Sequence, residues 1–162
     1  MKKIGRTIRR RRKEGKTDYK LRIGMLKSGM PRLVVRKTNK YLIAQIVQSD
    51  IAQDKIISGA SSKDLLSLGW PEKLSGSLKS IEASYLLGLL LAKKAKIKSA
   101  IIDMGLQRNI HKGRIYAVVK GAIDGGIKIN CNEESVLNED QINKNEKLLE
   151  IFNKVKGEIS KK

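Results

Sequence analysis

The distribution of charge constrains this chain more than any other feature. Of its 162 residues, the first forty hold sixteen Lys or Arg and only two acids, Glu14 and Asp18. That stretch carries +14 of the formal +19. Five bases run without interruption, Arg9-Arg10-Arg11-Arg12-Lys13. A block of like charge cannot pack against itself and needs a polyanion or open solvent. A nucleic acid meets that need, because each neutralised phosphate releases a condensed counterion. The remaining 122 residues hold nineteen bases and fourteen acids, the balance of an ordinary soluble domain.

Composition narrows the function classes. Apolar residues make up 40%, enough to fold one domain around a real core. Aromatic residues are only 4%, so base stacking on Phe, Tyr or Trp is not expected as a main binding mode. A single cysteine, Cys131, excludes an internal disulfide and a multi-cysteine zinc site; it reads as a plain small side chain. The single histidine, His111, leaves no histidine pair for a metal. The opening residues lack the apolar run of a secretory signal. The most apolar stretch, Tyr85 to Ala92, is too short to span a bilayer. A soluble cytosolic protein without a membrane or small-molecule partner is expected.

Residues 1 to 16 have no apolar periodicity and read as a basic arm, disordered in isolation. Thr17-Asp18 offers N-cap chemistry. Tyr19, Ile23 and Leu26 then recur at helical spacing up to a glycine stop at Gly29. Arg32 to Arg36 and Tyr41 to Val47 read as paired strands around a turn at Thr38-Asn39, with a short third strand at Lys55-Ile56-Ile57. Ser61 to Asp64 looks like a capping box before a short helix that ends at Gly69-Trp70-Pro71, where Trp70 is a packed anchor.

A longer, mostly buried helix is expected from about Ser77 to Lys96. A strand ending at Asp103 follows, then a polar loop with Arg108 and His111. The helix from Ile115 to Ile123 carries small residues, Ala117, Gly121 and Ala122, that permit close packing, and Gly125-Gly126 stops it. Residues 127 to 137 read as irregular. Asn138 and Gln141, with the acids Glu139 and Asp140, open a C-terminal helix striped by Leu148, Phe152, Val155 and Ile159. This order predicts a mixed sheet covered by helices. It divides the chain into an arm (1–16), a globular body (17–137) and a C-terminal helix (138–162) packed on the body.

Particular segments resemble a known family. Arg9 to Arg12, Thr17-Asp18-Tyr19, Leu26-Lys27-Ser28-Gly29 and the run Pro31 to Lys40 closely resemble the archaeal-type large-subunit ribosomal protein eighteen, a family that binds 5S ribosomal RNA. Gly69-Trp70, Ala83 to Leu90, Asp103 to Leu106 and Ala117 to Gly126 agree in order, so the resemblance covers roughly residues 9 to 130. It implies a three-layer α/β fold of the ribonuclease-H-like type, helices on both faces of the sheet, without nuclease activity. It also implies a place on the central protuberance, with 5S RNA, large-subunit RNA and neighbouring ribosomal proteins as partners. Asn130-Cys131 departs from the Pro-His step usual in the family, and the C-terminal tail is less alike.

Charge and resemblance together nominate Arg9, Arg10, Arg11, Arg12, Lys13, Lys16, Thr17, Tyr19, Arg22, Lys27, Arg32, Arg36, Lys37, Asn39 and Lys40 as RNA-binding residues. Tyr19 and Tyr41 have packing as a competing role. Lys93, Lys94, Lys96 and Lys98 at a helix end, and Arg108, His111, Lys112 and Arg114 in a loop, divide between RNA contact and ordinary solvation. No catalytic residue, metal or cofactor is expected. A two-metal nuclease needs carboxylates from several elements, and the first strand has none. Asp103 reads instead as a group that pairs with a base or accepts backbone N–H bonds. The alternative binding class is a DNA-binding module using the arm and the helix after Thr17.

Overall fold

The computed structural model describes residues 7–51, 53–142 and 146–161. In chain order its elements are α1 (Arg10–Lys13), α2 (Tyr19–Lys27), β1 (Arg32–Lys37), β2 (Leu42–Asp50), β3 (Gln53–Ser61), α3 (Ile81–Ala95), β4 (Ser99–Asp103), α4 (Arg114–Asp124), β5 (Lys128–Ile129), α5 (Glu139–Ile142) and α6 (Glu146–Lys161). Short 3₁₀ segments lie at Ser62–Leu68, Glu72–Ser77 and Glu133–Ser135.

The five strands form one sheet in the order β3-β2-β1-β4-β5. β1, β2 and β3 pair antiparallel, whereas β4 is parallel to β1 and β5 parallel to β4. This is the expected mixed α/β architecture. Within the sheet, two stretches depart from the sequence reading. The third strand is nine residues long, from Gln53 to Ser61, because β2 supplies it with a full-length partner across a bulge opposite Ile46 and Val47. The segment from 127 to 137 is not wholly irregular: Lys128 and Ile129 pair with Ser99 and Ala100. A two-residue strand has no periodicity of its own, and only its neighbour defines it.

Period-two geometry divides β1 between two faces. Leu33 and Val35 are fully buried in the core, beneath α3 and α4. Arg32 and Arg36 point the other way, where α2 lies. α3 is apolar around most of its circumference, so it is buried on nearly all sides. It starts at Ile81, later than expected, because Ser80 is the N-cap: its side chain accepts from Ala83 N–H at 3.2 Å. The preceding Ser77 closes a 3₁₀ turn instead.

α3 and α4 meet backbone to backbone. A Cβ on Gly88 would collide with the Val118 carbonyl, and one on Gly121 with the Tyr85 carbonyl. Glycine is required at both positions by this approach. The capping box at Ser61 and Asp64 is present, although the helix that it opens is 3₁₀. Trp70 is buried, its indole N–H donating to the Leu74 carbonyl at 3.3 Å.

All four residues of the C-terminal stripe, Leu148, Phe152, Val155 and Ile159, are buried in the same core. The Phe152 ring sits 5.6 Å from that of Tyr85 on α3. The side chains of Glu139 and Asp140, expected in the first turn, lie outside the described residues, as do residues 1–6 of the arm. Among the described residues no helix is long and apolar enough to cross a membrane.

Candidate nucleic-acid interface

The basic N-terminal region folds against itself through polar contacts. Residues Arg10–Lys13 make one helical turn with no buried side chain. Arg9 places its guanidinium 4.8 Å from the centroid of the Tyr19 ring, a cation–π distance. Arg11 Nε donates to Thr17 Oγ1 at 2.8 Å. Asp18, rather than Thr17, caps α2, accepting from the N–H groups of Lys20 at 2.9 Å and Leu21 at 3.1 Å. α2 itself buries no residue, and its apolar side chains Leu21, Ile23 and Leu26 stay exposed. The helical spacing read from the sequence is real, but it does not face the core.

Charge attaches α2 to the sheet instead. Arg22 Nη2 donates to Asp54 Oδ2 at 2.8 Å. The other oxygen of Asp54 accepts from Arg32 Nη2 at 2.8 Å and from the Ser49 hydroxyl at 2.6 Å. Arg32 Nη1 reaches Asp103 Oδ2 at 3.0 Å. Asp103 Oδ1 accepts from Arg36 Nη2 and from Gly105 N–H, each at 2.9 Å. Arg36 Nη1 adds a bond to the Asp103 carbonyl at 2.7 Å. Arginine and aspartate therefore alternate along one chain, Arg22–Asp54–Arg32–Asp103–Arg36.

Partial burial pushes the Asp54 carboxyl up, but the bonds from Ser49, Arg22 and Arg32 outweigh it and bring its pKa down to about 2. Asp103 has the partners expected of a lone carboxylate among bases. With arginines on both oxygens it is occupied by fixed cations. Cys131 is a thiol raised above its ordinary pKa by burial and by nearby Glu133, which keeps it from acting as a thiolate.

Arg32 needs a correction. Its side chain is only 3% exposed and both amino groups are engaged by carboxylates. A guanidinium enclosed in this way cannot reach a phosphate; it supports the surface from beneath. The two ends of the network, Arg22 at 39% and Arg36 at 41% side-chain exposure, do reach solvent. Arg11, Lys16, Thr17, Arg22 and Arg36 line one polar cleft between the arm, α2 and the end of β4. Asp18 and Asp103 also line it, but the first is used in capping α2 and the second is held by arginines.

The remaining candidates lie outside the lining of this cleft. Arg10, Arg12 and Lys13 are exposed on the arm; Glu14 stands 3.7 Å from Arg10 and 3.0 Å from Lys16. Lys27 is exposed in the last turn of α2. Lys37, Asn39 and Lys40 are exposed around the β1–β2 turn. That turn is firmly built: Thr38 N–H and its hydroxyl both donate to the Tyr41 carbonyl, at 2.9 and 2.6 Å. Lys79 Nζ ties it to the start of α3 by donating to the Asn39 carbonyl at 2.8 Å. Of the lysines at the end of α3, Lys94 lies 3.7 Å from Asp64.

Sequence reasoning missed Asp54 and Ser49, the acceptors that fix Arg22 and Arg32. Their polar character was visible, but the pairing across 22 and 32 residues was not. One signal was available for Arg32: it stands inside an apolar strand, in register with Val34.

Comparison with known proteins matches residues 5–100 to the family described as "Ribosomal large subunit proteins 60S L5, and 50S L18". A relative in Caldivirga maquilingensis, "Large ribosomal subunit protein uL18", is 44% identical over 83% of this chain and 65% of its own length. Relatives of the same name in Korarchaeum cryptofilum and Methanoregula boonei are 43% and 39% identical, over 82% and 94% of this chain and 68% and 86% of their own lengths. The chain thus spans just under two thirds of the Caldivirga relative. The family match covers more than half of the chain, including every candidate residue from Arg9 to Lys40. The chain therefore belongs to the large-subunit ribosomal protein family of 60S L5 and 50S L18.

Proposed function

We propose that this chain is a structural protein of the cytoplasmic large ribosomal subunit that binds 5S ribosomal RNA and anchors it to the large-subunit RNA and neighbouring proteins at the central protuberance. The observation that carries this reading is the single cleft lined by Arg11, Lys16, Thr17, Arg22 and Arg36. It draws residues from the arm, α2 and β1 into one surface, and the buried Arg32–Asp103 pair fixes its floor. Charge neutralisation and shape supply the affinity. The major groove of A-form RNA is too narrow for side chains to read bases, so phosphate and sugar contacts dominate. The residues proposed to make them are Arg9 to Lys13, Lys16, Thr17, Tyr19, Arg22, Lys27, Arg36, Lys37, Asn39 and Lys40, with Arg32 in support.

The test compares the full chain with a variant in which Arg9 to Arg12 are alanine, on 5S RNA and on duplex DNA of similar length. The parent should prefer 5S RNA. The variant's slope of log affinity against log salt should be shallower by ~3 if all four arginines engage phosphates. Equal affinity for both nucleic acids favours the DNA-binding alternative. An unchanged slope with unchanged affinity refutes the arm's role.

A further inference from the structure

A second cleft, of about 570 Å³, opens on the other side of the β1–β2 turn. Its size falls within the roughly 300–1,000 Å³ of sites that enclose small organic groups. Ile81, Ile110 and Ile115 form its apolar lining, while Lys37, Arg108 and Arg114 supply three cations; none of its lining residues is acidic. Ile110 is 56% exposed, an open apolar surface beside charge. Gln107 also lines the cleft, and its Oε1 is buried without a hydrogen-bond partner. An unpaired acceptor of this kind costs free energy until a donor reaches it.

The loop that builds this cleft is held in place. His111 Nδ1 and the Ser135 hydroxyl are 2.7 Å apart, and the His111 ring stacks 5.9 Å from Tyr116. Lys112 N–H donates to the Ser135 carbonyl at 2.9 Å, and Tyr116 Oη to Asn109 Oδ1 at 2.9 Å. Gly113 permits the close turn, since a Cβ there would lie 2.9 Å from the Ile110 carbonyl. α4 starts at Arg114 after the N-cap Gly113, with no side-chain cap and no acid in its first turn. The shape is thus preformed, and every charge that lines it favours an anion.

We propose that this cleft takes one unstacked nucleotide of the bound RNA. The base lies against the three isoleucines, and a turn of the Gln107 side chain brings its unpartnered Oε1 to accept an amino or imino N–H, while the phosphates flanking the nucleotide meet Lys37, Arg108 and Arg114. This assignment rests on the ribosomal-RNA reading above and extends it to a surface away from the arm. Lys37, which lines this cleft, directly follows Arg36, which lines the first. Aliphatic side chains supply the apolar contact where a chain rich in aromatic residues would use rings.

The test uses the full chain with deproteinised 5S RNA and with large-subunit RNA, in separate salt titrations. Arg108 and Arg114 are both exposed, so a double change to Gln leaves the core intact. With the RNA that owns the nucleotide, the slope of log affinity against log salt should become shallower by about 1.5. Ile110→Ser should weaken binding several-fold at an unchanged slope. Ultraviolet cross-linking should place a nucleotide on the peptide spanning 107–115. If both cleft variants bind both RNAs like the parent and no cross-link falls on that peptide, while the Arg9 to Arg12 variant is weakened, the cleft assignment is overturned and the arm reading stands. If instead the arm variant binds like the parent while the cleft variants are weakened, the arm reading fails and the cleft assignment holds.

Discussion

Leu86 and Leu26 are the same side chain in two different mechanical settings. Leu86 lies on α3 with no exposed surface, in a helix so close to α4 that only glycine fits at 88 and 121. Leu26 lies on α2, 38% exposed, on a helix that buries nothing. The α3/α4 region is held by apolar burial and backbone fit. The arm and α2 are held by an alternating arginine–aspartate network, a cation–π contact and the Asp18 side-chain cap. The first kind of cohesion, which includes a bond from Tyr85 Oη to Asp124 Oδ2 at 2.8 Å, depends less on salt and acid than the second. The difference explains how one chain can carry a stable core and a surface that gives its charges to a polyanion. The exposed ends of the network, Arg22 and Arg36, are set on carboxylates at 2.8 and 2.9 Å in a geometry that also suits phosphate.

The largest expected effect separates the two leucines. Leu86→Ala should cost roughly 2–5 kcal/mol of stability, because it empties a closed core. Leu26→Ala should change stability by no more than about 0.5 kcal/mol, the usual range for a surface site. Denaturant unfolding of the two variants measures both. A comparable loss for Leu26→Ala would mean that α2 is packed after all, and the contrast drawn here would fall.

A smaller effect should appear with acid. The Asp54 pKa lies near 2 in the folded protein against an ordinary 3.8, so its carboxylate favours the folded state. That contribution is present above about pH 4 and is lost as pH falls through the folded value near 2. Because Asp54 is a third exposed, the contribution should stay below about 1 kcal/mol. Stability measured from pH 5 to pH 2 should fall less steeply in Asp54→Asn than in the parent. Parallel curves would show that Asp54 does not couple α2 to the sheet.

The comparison also explains what the sequence revealed. Features with local causes were legible. The Ser61–Asp64 box, the glycine stops and the four-residue stripe of the C-terminal helix each follow from spacing within one element, and each lies where the spacing puts it. The small residues Ala117, Gly121 and Ala122 signalled close packing, though not that Gly88 is the reciprocal half. Features with distant causes were hidden. β5 exists because β4 is beside it. Arg32 reads as a surface cation, and it becomes a buried strut only because Asp103, 71 residues away, and Asp54 arrive to neutralise it. The loop from Gly105 to Lys112 reads as polar, divided between RNA contact and ordinary solvation. Its cleft appears when the end of β1 and the start of α3 are placed beside it.

Hydrogen exchange on the full chain, with and without 5S RNA, tests the central claim most directly. α3 and α4 should be strongly protected in both states. Residues 7–28 should exchange quickly in the free protein, since nothing in them is buried, and should slow markedly once 5S RNA is bound. Strong protection of residues 7–28 in the free protein, or no change there when 5S RNA binds, would contradict a charge-held surface that RNA completes.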